Sequence, residues 1–228
     1  MTAAPVHLAG ETLLLDPEGA LWWPARRLLA VADLHLEKAS HFAARGQLLP
    51  PFDSAITLDR LARVVRRHRP AIIVALGDSF HDAAGSLRLA AGDLARIGHI
   101  AHNADLIWLF GNHDPTPPAT LPGRTLSELC LDTLSFRHLP TADARGEIAG
   151  HLHPKATVKA RGASLTRRCF VADARRILMP AFGAFAGGLD LGDPAIAGLF
   201  PRHARAFLLG RDRLFSFALQ RGKAPFEH

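Results

Sequence analysis

Four short segments rich in Asp, His and Asn constrain this chain more than any other feature of its sequence. The segments are Ala32-Asp33-Leu34-His35, Gly77-Asp78-Ser79-Phe80-His81, Gly111-Asn112-His113-Asp114 and Gly150-His151-Leu152-His153. Each follows a short apolar run of the kind that forms a buried strand. The carboxyl ends of successive strands in an open α/β sheet converge on one crevice. We therefore expect the polar side chains of the four segments to meet in one site.

The stretches between the motifs predict alternating strands and helices. The apolar runs from Leu28 to Ala32 and from Ala71 to Leu76 are typical of buried strands. Between them, Asp53 is a candidate N-cap for a helix that ends before Pro70. Together they predict a strand, a helix and a second strand.

The same pattern recurs further along the chain. Ser86 is a candidate cap for a helix that carries Leu87 and Ile97, and this helix leads into a strand from Ala104 to Phe110. Shorter extended segments without long helices between them predict a second, more antiparallel sheet. These segments are Glu11 to Leu15, Ala156 to Ala160, Cys169 to Ala172, Ala206 to Leu209 and Leu214 to Phe217. A fourth short strand, Glu147 to Ala149, continues the first pattern and leads into Gly150-His151. The chain length predicts a single domain over residues 1–228.

The net charge leaves two interpretations open. It is +6, and nearly all of the positive charge comes from arginine. A basic protein attracts polyanions such as nucleic acids, but the arginines can equally be spread over solvated helix faces. Two local clusters favour the first interpretation. They are Arg60, Arg63, Arg66, Arg67 and Arg69, and then Arg161, Arg167, Arg168, Arg175 and Arg176.

The remaining composition excludes several classes of protein. Cys130 and Cys169 lie far apart and form no C-x-x-C motif, so we expect both to be reduced core thiols rather than disulfide partners or zinc ligands. No apolar stretch approaches the roughly 20 residues of a membrane-spanning helix, and the N-terminus does not resemble a signal peptide. We therefore expect a cytoplasmic protein that does not contact a membrane.

Residue spacing within the motifs suits metal binding. Asp33 and His35 lie two residues apart at a strand end, so both side chains can point towards one cation. His151 and His153 have the same spacing. A carboxylate can bridge two metals and a neutral imidazole cannot, which makes Asp78 the natural bridging ligand.

Asn112 and His138 would complete the ligands of a second metal. Mixed nitrogen and oxygen donors of this kind suit Mn, Fe or Zn better than Ca. We therefore expect two divalent metal ions, with Mn preferred. A pair of cations about 3.5–4 Å apart can stabilise both the attacking and the leaving oxygen of an in-line displacement at phosphorus.

The order of the motifs resembles the five signature blocks of the calcineurin-like metallophosphoesterases. The matching residues are Asp33-x-His35, Gly77-Asp78, Gly111-Asn112-His113-Asp114, His138 and Gly150-His151-x-His153. The resemblance implies an α/β fold, a four-layer αββα sandwich of two mixed sheets flanked by helices. It also implies that one metal binds Asp33, His35, Asp78 and His153, and the other binds Asp78, Asn112, His138 and His151.

Two further expectations concern catalysis in such enzymes. A metal-bridging hydroxide is the nucleophile, and His113 faces the phosphate, where it stabilises the phosphorane or protonates the leaving oxygen. Asn112 lies beside it as a second candidate substrate contact. In the phosphoprotein phosphatase branch, an Asp stands where this chain has His81, so protein phosphatase activity is not expected. His81 is a candidate catalytic residue, a substrate contact, a support for a metal ligand or a plain polar loop residue.

A closer resemblance extends over nearly the whole chain, to the bacterial DNA-ligase-associated metallophosphoesterases of the PdeM type. The residues that carry it are Trp22-Trp23-Pro24, Ala32 to Lys38, Gly46-Gln47-Leu48-Leu49-Pro50, Gly150 to Pro154, and Pro180-Ala181-Phe182-Gly183 with Gly187-Gly188. This resemblance implies a phosphodiesterase or nuclease that acts in DNA repair beside a DNA ligase and a helicase-like partner. Lys38 is either a phosphate contact or a solvated lysine, and the aromatic residues can equally be ordinary core residues.

The sequence thus predicts a binuclear-metal-dependent phosphodiesterase that acts on DNA or nucleotides. The same metal pair can also serve a small-molecule phosphomonoesterase or a pyrophosphatase. A non-catalytic adaptor of the same fold is a third interpretation, but all seven expected ligands and His113 are present.

Overall fold

Two β-sheets packed face to face organise the computed structural model, which describes residues 2–115, 121–160, 163–201 and 203–219. The first sheet contains, in spatial order, β1 (Ala4–Leu8), β2 (Glu11–Leu15), β3 (Leu21–Trp23), β4 (Leu28–Val31), β5 (Ile72–Ala75), β6 (Asp105–Leu109) and β7 (Arg124–Leu126). Strands β1 to β4 pair antiparallel, and β4 to β7 pair parallel. The strands whose carboxyl ends carry the first three motifs are therefore parallel neighbours.

The second sheet is mixed. Its strands are β8 (Leu129–Leu131), β9 (Leu134–Arg137), β10 (Glu147–Ala149), β11 (Lys155–Ala160), β12 (Ala163–Ala172), β13 (Arg176–Leu178), β14 (Ala204–Leu209) and β15 (Leu214–Leu219). The spatial order is β15-β14-β12-β13-β10-β9-β8, and β11 pairs with β12 outside this order. Only β9, β10 and β13 run parallel, so the predicted antiparallel character is confirmed for the rest of the sheet.

The helices of the described residues are α1 (Lys38–Ala43), α2 (Asp53–His68), α3 (Gly85–Arg88), α4 (Ala91–Asn103) and α5 (Pro194–Ala197), with a 3₁₀ turn at Pro24–Arg26. None of them is long and apolar enough to span a membrane.

Alternation along the strands explains the layers. In β4, Leu28 and Ala30 face the second sheet, where they join an apolar cluster that includes Phe136 and Phe170. Leu29 and Val31 point the other way, into a cluster with α2 and α4, because successive side chains of a strand point to opposite faces. A strand buried on both faces reads as a continuous apolar run, which is why β4 was recognisable from sequence.

The outer face of the second sheet is covered by α5 and its flanking loop. Leu191, Ile196 and Phe200 pack there against Cys169 and Val171 of β12. The α/β fold of two mixed sheets with helices outside is thus confirmed, with the long helices on one side and a single turn of helix on the other among the described residues.

Five local predictions are wrong. Glu11–Leu15, expected in the second sheet, is β2 of the first sheet, because it pairs antiparallel with β1 and β3. Glu147–Ala149, expected to continue the first pattern, is β10 of the second sheet, because it pairs with β9 and β13. The helix expected from Ser86 is two helices, because Leu89 and Ala90 are extended (ψ 130° and 146°) and Ser86 lies inside α3 instead of capping it. Asp53 is the first residue of α2 rather than its cap, and its carboxylate accepts the Ala39 N–H at 3.1 Å. Cys130 is exposed because β8 is an edge strand, whereas Cys169 is buried as expected.

Candidate metal centre

Loops at the carboxyl ends of five strands place the candidate ligands. Asp33 and His35 follow β4, Asp78 follows β5, and Asn112 and His113 follow β6. From the second sheet, His138 follows β9 directly, and His151 and His153 follow β10. Both sheets therefore contribute to the site, and parallel pairing within each sheet brings the loop ends to the same edge.

The first group of donors comprises Asp33, His35 and His153, whose ligand-type atoms lie within 4.8 Å of one another. The Nε2 atoms of His35 and His153 are 3.3 Å apart, and Nε2 of His153 is 3.3 Å from Oδ1 of Asp33. The Asp33 carboxylate also accepts the His151 N–H at 3.0 Å, which fixes its orientation.

A second group comprises Asp78, His138 and His151, again within 4.8 Å. Nε2 of His138 lies 3.4 Å from Oδ2 of Asp78 and 3.2 Å from Nδ1 of His151. The amide oxygen of Asn112 is 2.8 Å from the same His138 nitrogen. Nδ1 of His138 donates to the Leu76 carbonyl oxygen at 2.9 Å, so Nε2 presents its lone pair to the site.

Asp78 lies between the two groups. Its Oδ2 atom is 3.4 Å from Nε2 of His138 in the second group and 3.9 Å from Nε2 of His35 in the first. The other oxygen, Oδ1, accepts the backbone N–H of His113 at 2.9 Å. The carboxylate thus occupies the position that a bridging ligand requires.

These residues fit divalent metals. Ligand atoms at about 2.0–2.1 Å from one ion are about 3.3 Å apart at the tetrahedral angle, which is the spacing between the facing imidazole nitrogens in both groups. A polar cluster of this kind is satisfied when cations occupy its centre.

The charge states of the ligands favour cation binding. Burial, together with the nearby His153, lowers the pKa of His35 to about 3, so its imidazole is neutral near pH 7. Burial acts to raise the pKa of Asp78, but the hydrogen bond with His138 and the contact with His113 outweigh it and lower the pKa below its ordinary value. A neutral imidazole and an ionised carboxylate are the forms that coordinate metals.

Five of the candidate ligands have left-handed backbone conformations that non-glycine residues rarely adopt. Their φ angles are 54° at Asp33, 43° at His35, 46° at Asp78, 73° at His151 and 48° at His153. Each such residue costs on the order of 1–3 kcal/mol, and such strain clusters at functional sites. These conformations turn the chain sharply after each strand, so that the ligand side chains point towards one centre.

Gly111 leaves room for Asp78, and a methyl group there should disrupt the site. A Cβ at this position would lie 2.1 Å from the Asp78 nitrogen and 2.2 Å from its Oδ1 atom. We expect Gly111→Ala to abolish most activity and to lower the free energy of unfolding by about 1–3 kcal/mol through overpacking. Gly98 in α4 has no atom within 4 Å of such a Cβ, so Gly98→Ala should stabilise the protein by about 0.5–1 kcal/mol. Chemical denaturation and activity assays of both variants test the pair, and equal activity would contradict the role of Gly111.

His113 lies at the open side of the centre, with a side chain 41% exposed. Its Nε2 atom is 4.0 Å from Oδ2 of Asp78, and its Nδ1 atom is 3.0 Å from the carbonyl oxygen of His81. That oxygen can only accept, so Nδ1 carries the hydrogen. The backbone of His81 thus orients His113, a contact that side-chain motifs do not reveal.

The His81 side chain forms a third donor group with His35 and His113, within 4.8 Å. Its ring stacks on that of His113 at 5.3 Å between centroids and on Phe42 at 5.5 Å. Burial, followed by the nearby Lys38, lowers the pKa of His81 to about 4. Lys38 itself is half-buried, and its Nζ donates to the Phe185 carbonyl oxygen at 3.0 Å.

Two supporting carboxylates were not given roles from the sequence. Asp114 is buried and accepts the N–H groups of Ser79 and Phe80 at 2.8 and 3.0 Å, which holds the loop after Asp78. Burial, with the nearby Asp78, raises the pKa of Asp114 to about 6. In the sequence, the position of Asp114 directly after His113 in the third motif could have indicated this supporting role.

Asp82 anchors the other side of this loop. It pairs with Arg88 at 2.6 Å and contacts Nδ1 of His41, and hydrogen bonds from Arg88 and His41 lower the pKa of its carboxyl. The His41 ring lies 4.7 Å from that of His81. His41 is therefore a neighbour of the site rather than an isolated surface histidine.

The chain is similar to several known proteins. A family model described as calcineurin-like phosphoesterase matches residues 26–167. Among solved structures, the Pseudomonas putida nuclease MPE is similar, with 31% identity, a TM-score of 0.73, and coverage of 94% of this chain and 100% of the nuclease. Zinc-bound Vps29 from Entamoeba histolytica is a more distant match, with 12% identity, a TM-score of 0.34, and coverage of 84% of this chain and 97% of that one. A search of curated protein sequences found no match.

The family match spans more than half of the chain and includes the loops after β4, β5, β6, β9 and β10. The side chains of those loops form the donor groups around Asp78. The chain belongs to the calcineurin-like phosphoesterase family and is a metal-dependent phosphoesterase.

Proposed function

We propose that the protein is a phosphodiesterase that binds two divalent metal ions and cleaves nucleic acid, with DNA as the substrate. The observation that carries this proposal is the position of the Asp78 carboxylate between two groups of Asp and His donors, with His113 at their open side. One group would hold the first metal through Asp33, His35 and His153, and the other would hold the second through Asn112, His138 and His151.

Each side chain has a defined part in this proposal. Bound cations would neutralise charge on the phosphoryl oxygens and lower the pKa of water. The carbonyl of His81 holds His113 with Nε2 towards the centre, where it can contact the phosphate or the leaving oxygen. The His81 ring stacks on His113 and limits its rotation. The side-chain amide of Asn112 also offers an N–H₂ group, which can contact the substrate.

The choice of nucleic acid rests on two supports. A similar solved structure, over 94% of this chain, is that of a nuclease. The net charge of +6 favours a polyanionic substrate. Manganese as the native metal, a role in DNA repair beside a DNA ligase and a helicase-like partner, and action in the cytoplasm are the finer parts of the proposal, and they rest on the sequence resemblance.

A comparison of model substrates tests the reaction class. We expect metal-stripped protein refilled with Mn²⁺ to hydrolyse bis-p-nitrophenyl phosphate faster than p-nitrophenyl phosphate, and to cleave single- or double-stranded DNA. Activity should vanish when a chelator is added and return when Mn²⁺ is restored. Fe²⁺ and Zn²⁺ in parallel would rank the metals.

The other outcomes discriminate among the alternatives. A marked preference for the monoester would favour a small-molecule phosphatase, and hydrolysis of pyrophosphate would favour a pyrophosphatase. Absence of activity on every substrate, in protein shown to contain metal, would favour a non-catalytic adaptor.

A further inference from the structure

A second basic site lies outside the metal centre, in a cavity of about 340 Å³. Its lining includes four arginines from three separate segments of the chain, namely Arg60, Arg167, Arg168 and Arg211. Arg60 comes from α2 and Arg167 and Arg168 from β12, so the fold joins the two arginine clusters seen in the sequence. Arg161, from the second cluster, lies outside the described residues.

Arg60 is held in place but is not neutralised. Its guanidinium stacks on the Phe182 ring, with Cζ 4.2 Å from the ring centroid. The Nε and Nη2 atoms are buried and have no hydrogen-bond partner among the described residues. Burial, followed by the nearby Arg168, lowers the pKa of Arg60 to about 9, which reflects an unfavourable environment for a cation. Buried donors of this kind usually have a partner.

The carboxylate in the cavity acts electrostatically on Arg60 but does not accept a hydrogen bond from its Nε or Nη2 atom. Glu18 also lines the cavity, but its Oε1 atom is 3.3 Å from Nε of Arg63, and its Oε2 atom is 3.8 Å from Nη2 of Arg67. Both partners lie on α2, outside the cavity lining. The positive charge of the four lining arginines therefore exceeds the negative charge available to them.

The cavity is joined to the metal centre by one short segment. The N–H groups of Phe182 and Gly183 donate to the carbonyl oxygens of Ala32 and Asp33 at 2.7 and 3.0 Å. On the same segment, the carbonyl oxygens of Ala181 and Gly183 accept hydrogen bonds from Nη1 of Arg168, each at 2.8 Å. Arg168 is thereby fixed relative to Asp33, so a group bound in the cavity has a defined position relative to the metal site.

We propose that the cavity lined by Arg60, Arg167, Arg168 and Arg211 binds a phosphate group of the nucleic-acid strand away from the scissile bond. Guanidinium groups match the tetrahedral oxygens of a phosphate through paired N–H donors, and four of them line this one cavity. The identification of the strand as the source rests on the proposed function, whereas free phosphate is the other source of the same chemistry.

Turnover of two substrates by three variants tests the proposal. Arg60→Gln removes the charge of the stacked guanidinium, and Arg167→Gln removes that of an exposed guanidinium, which donates to the Thr166 carbonyl oxygen at 3.3 Å. Arg66→Gln is the matched control, because Arg66 is exposed on the same helix and does not line the cavity. The substrates are a single-stranded oligonucleotide and bis-p-nitrophenyl phosphate, a diester too small to occupy both sites.

We expect Arg60→Gln to raise KM for the oligonucleotide about tenfold, with an unchanged kcat/KM for the small diester. The slope of log KM against log salt should fall by roughly 0.7, the value for one lost phosphate contact on a single strand. Arg167→Gln should show a smaller effect of the same kind, and it keeps the test valid if Arg60→Gln fails to fold. Equal losses on both substrates, or the same loss in Arg66→Gln, would overturn the proposal.

Thermal unfolding with added inorganic phosphate tests whether the cavity binds free phosphate or a phosphate group of the strand. We expect phosphate to raise the Tm of the Mn²⁺-loaded wild type more than that of Arg60→Gln. If this difference is seen while oligonucleotide turnover is the same in both, the cavity binds free phosphate and the strand assignment is wrong. If neither measurement depends on Arg60, the anion site itself is refuted. Should the wild type cleave no nucleic acid, the proposed function fails, and the phosphate measurement still decides whether the anion site exists.

Discussion

Replacing Asp78 with asparagine is expected to lower kcat for phosphodiester hydrolysis by about a thousandfold. Asp78 places Oδ2 between the two donor groups, 3.4 Å from His138 and 3.9 Å from His35. Asparagine has nearly the same shape but no charge, so it would weaken the site for a pair of dications. Metal ions contribute several kcal/mol of transition-state stabilisation, and a loss of about 4 kcal/mol corresponds to a thousandfold decrease in rate.

The measurement combines rate and metal content. We would determine kcat with bis-p-nitrophenyl phosphate over a range of Mn²⁺ concentrations and the bound metal per chain by elemental analysis. Asp105→Asn is the matched control, because Asp105 is an exposed carboxylate at the start of β6 that pairs with Arg124. It should retain full activity and metal content. An Asp78→Asn variant with normal rate and two bound metals would refute the bridging assignment.

The placement of this carboxylate could be predicted because local signals were strong. The strands β4 and β5 are buried on both faces and read as uninterrupted apolar runs, and an Asp follows the end of each within three residues. The parallel pairing of β4, β5 and β6 then follows from the helices between them. Hence three loops of the site were predictable from the order of strands and motifs.

His138 shows where this reasoning weakens. It follows β9, a four-residue strand in which buried Leu134 and Phe136 alternate with half-buried Ser135 and Arg137. Such a short alternating pattern is a weak signal, so His138 was proposed by its chemistry rather than by a predicted strand. The strands β8 and β13, of three residues each, were also not predicted.

The backbone conformations of the site residues could not be predicted from sequence patterns. The left-handed conformations of Asp33, Asp78 and His151 oppose the intrinsic preference of these residues, and tertiary contacts must hold them. The break between α3 and α4 has a similar origin, because Arg88 at the end of α3 is tied to Asp82 and Ser40. Long-range contacts of this kind leave no local signature.

The second large effect is expected for His113→Ala, which should lower kcat by roughly 10²- to 10⁴-fold, the usual contribution of general acid–base catalysis. Since Nδ1 of His113 donates to the His81 carbonyl, Nε2 carries a proton only in the imidazolium form. That form can stabilise the negative charge on the phosphorane oxygens or protonate the leaving oxygen. Metal content should remain at the wild-type level, because the donor groups around Asp33 and Asp78 do not include His113.

Two substrates with different leaving groups distinguish the two roles of His113, which are stabilisation of the phosphorane and protonation of the leaving oxygen. Nitrophenolate departs readily without a proton, whereas the alkoxide of a DNA sugar does not. If His113 protonates the leaving oxygen, His113→Ala should slow DNA cleavage far more than hydrolysis of bis-p-nitrophenyl phosphate. Equal losses on the two substrates would instead indicate stabilisation of the phosphorane. His99→Ala is the matched control and should behave as the wild type, because His99 is exposed on α4 and its ring bonds to the Ala95 carbonyl oxygen of the same helix.

A loss of bound metal in His113→Ala would contradict this assignment. His113 also belongs to a third donor group with His35 and His81, so it can in principle serve as a ligand instead of a catalytic group. In that case the metal content would fall, and added Mn²⁺ would restore part of the rate. A catalytic histidine predicts the opposite, because a slow enzyme with its full metal complement cannot be rescued by more metal. The metal dependence of the residual rate therefore decides between the two roles of the same side chain.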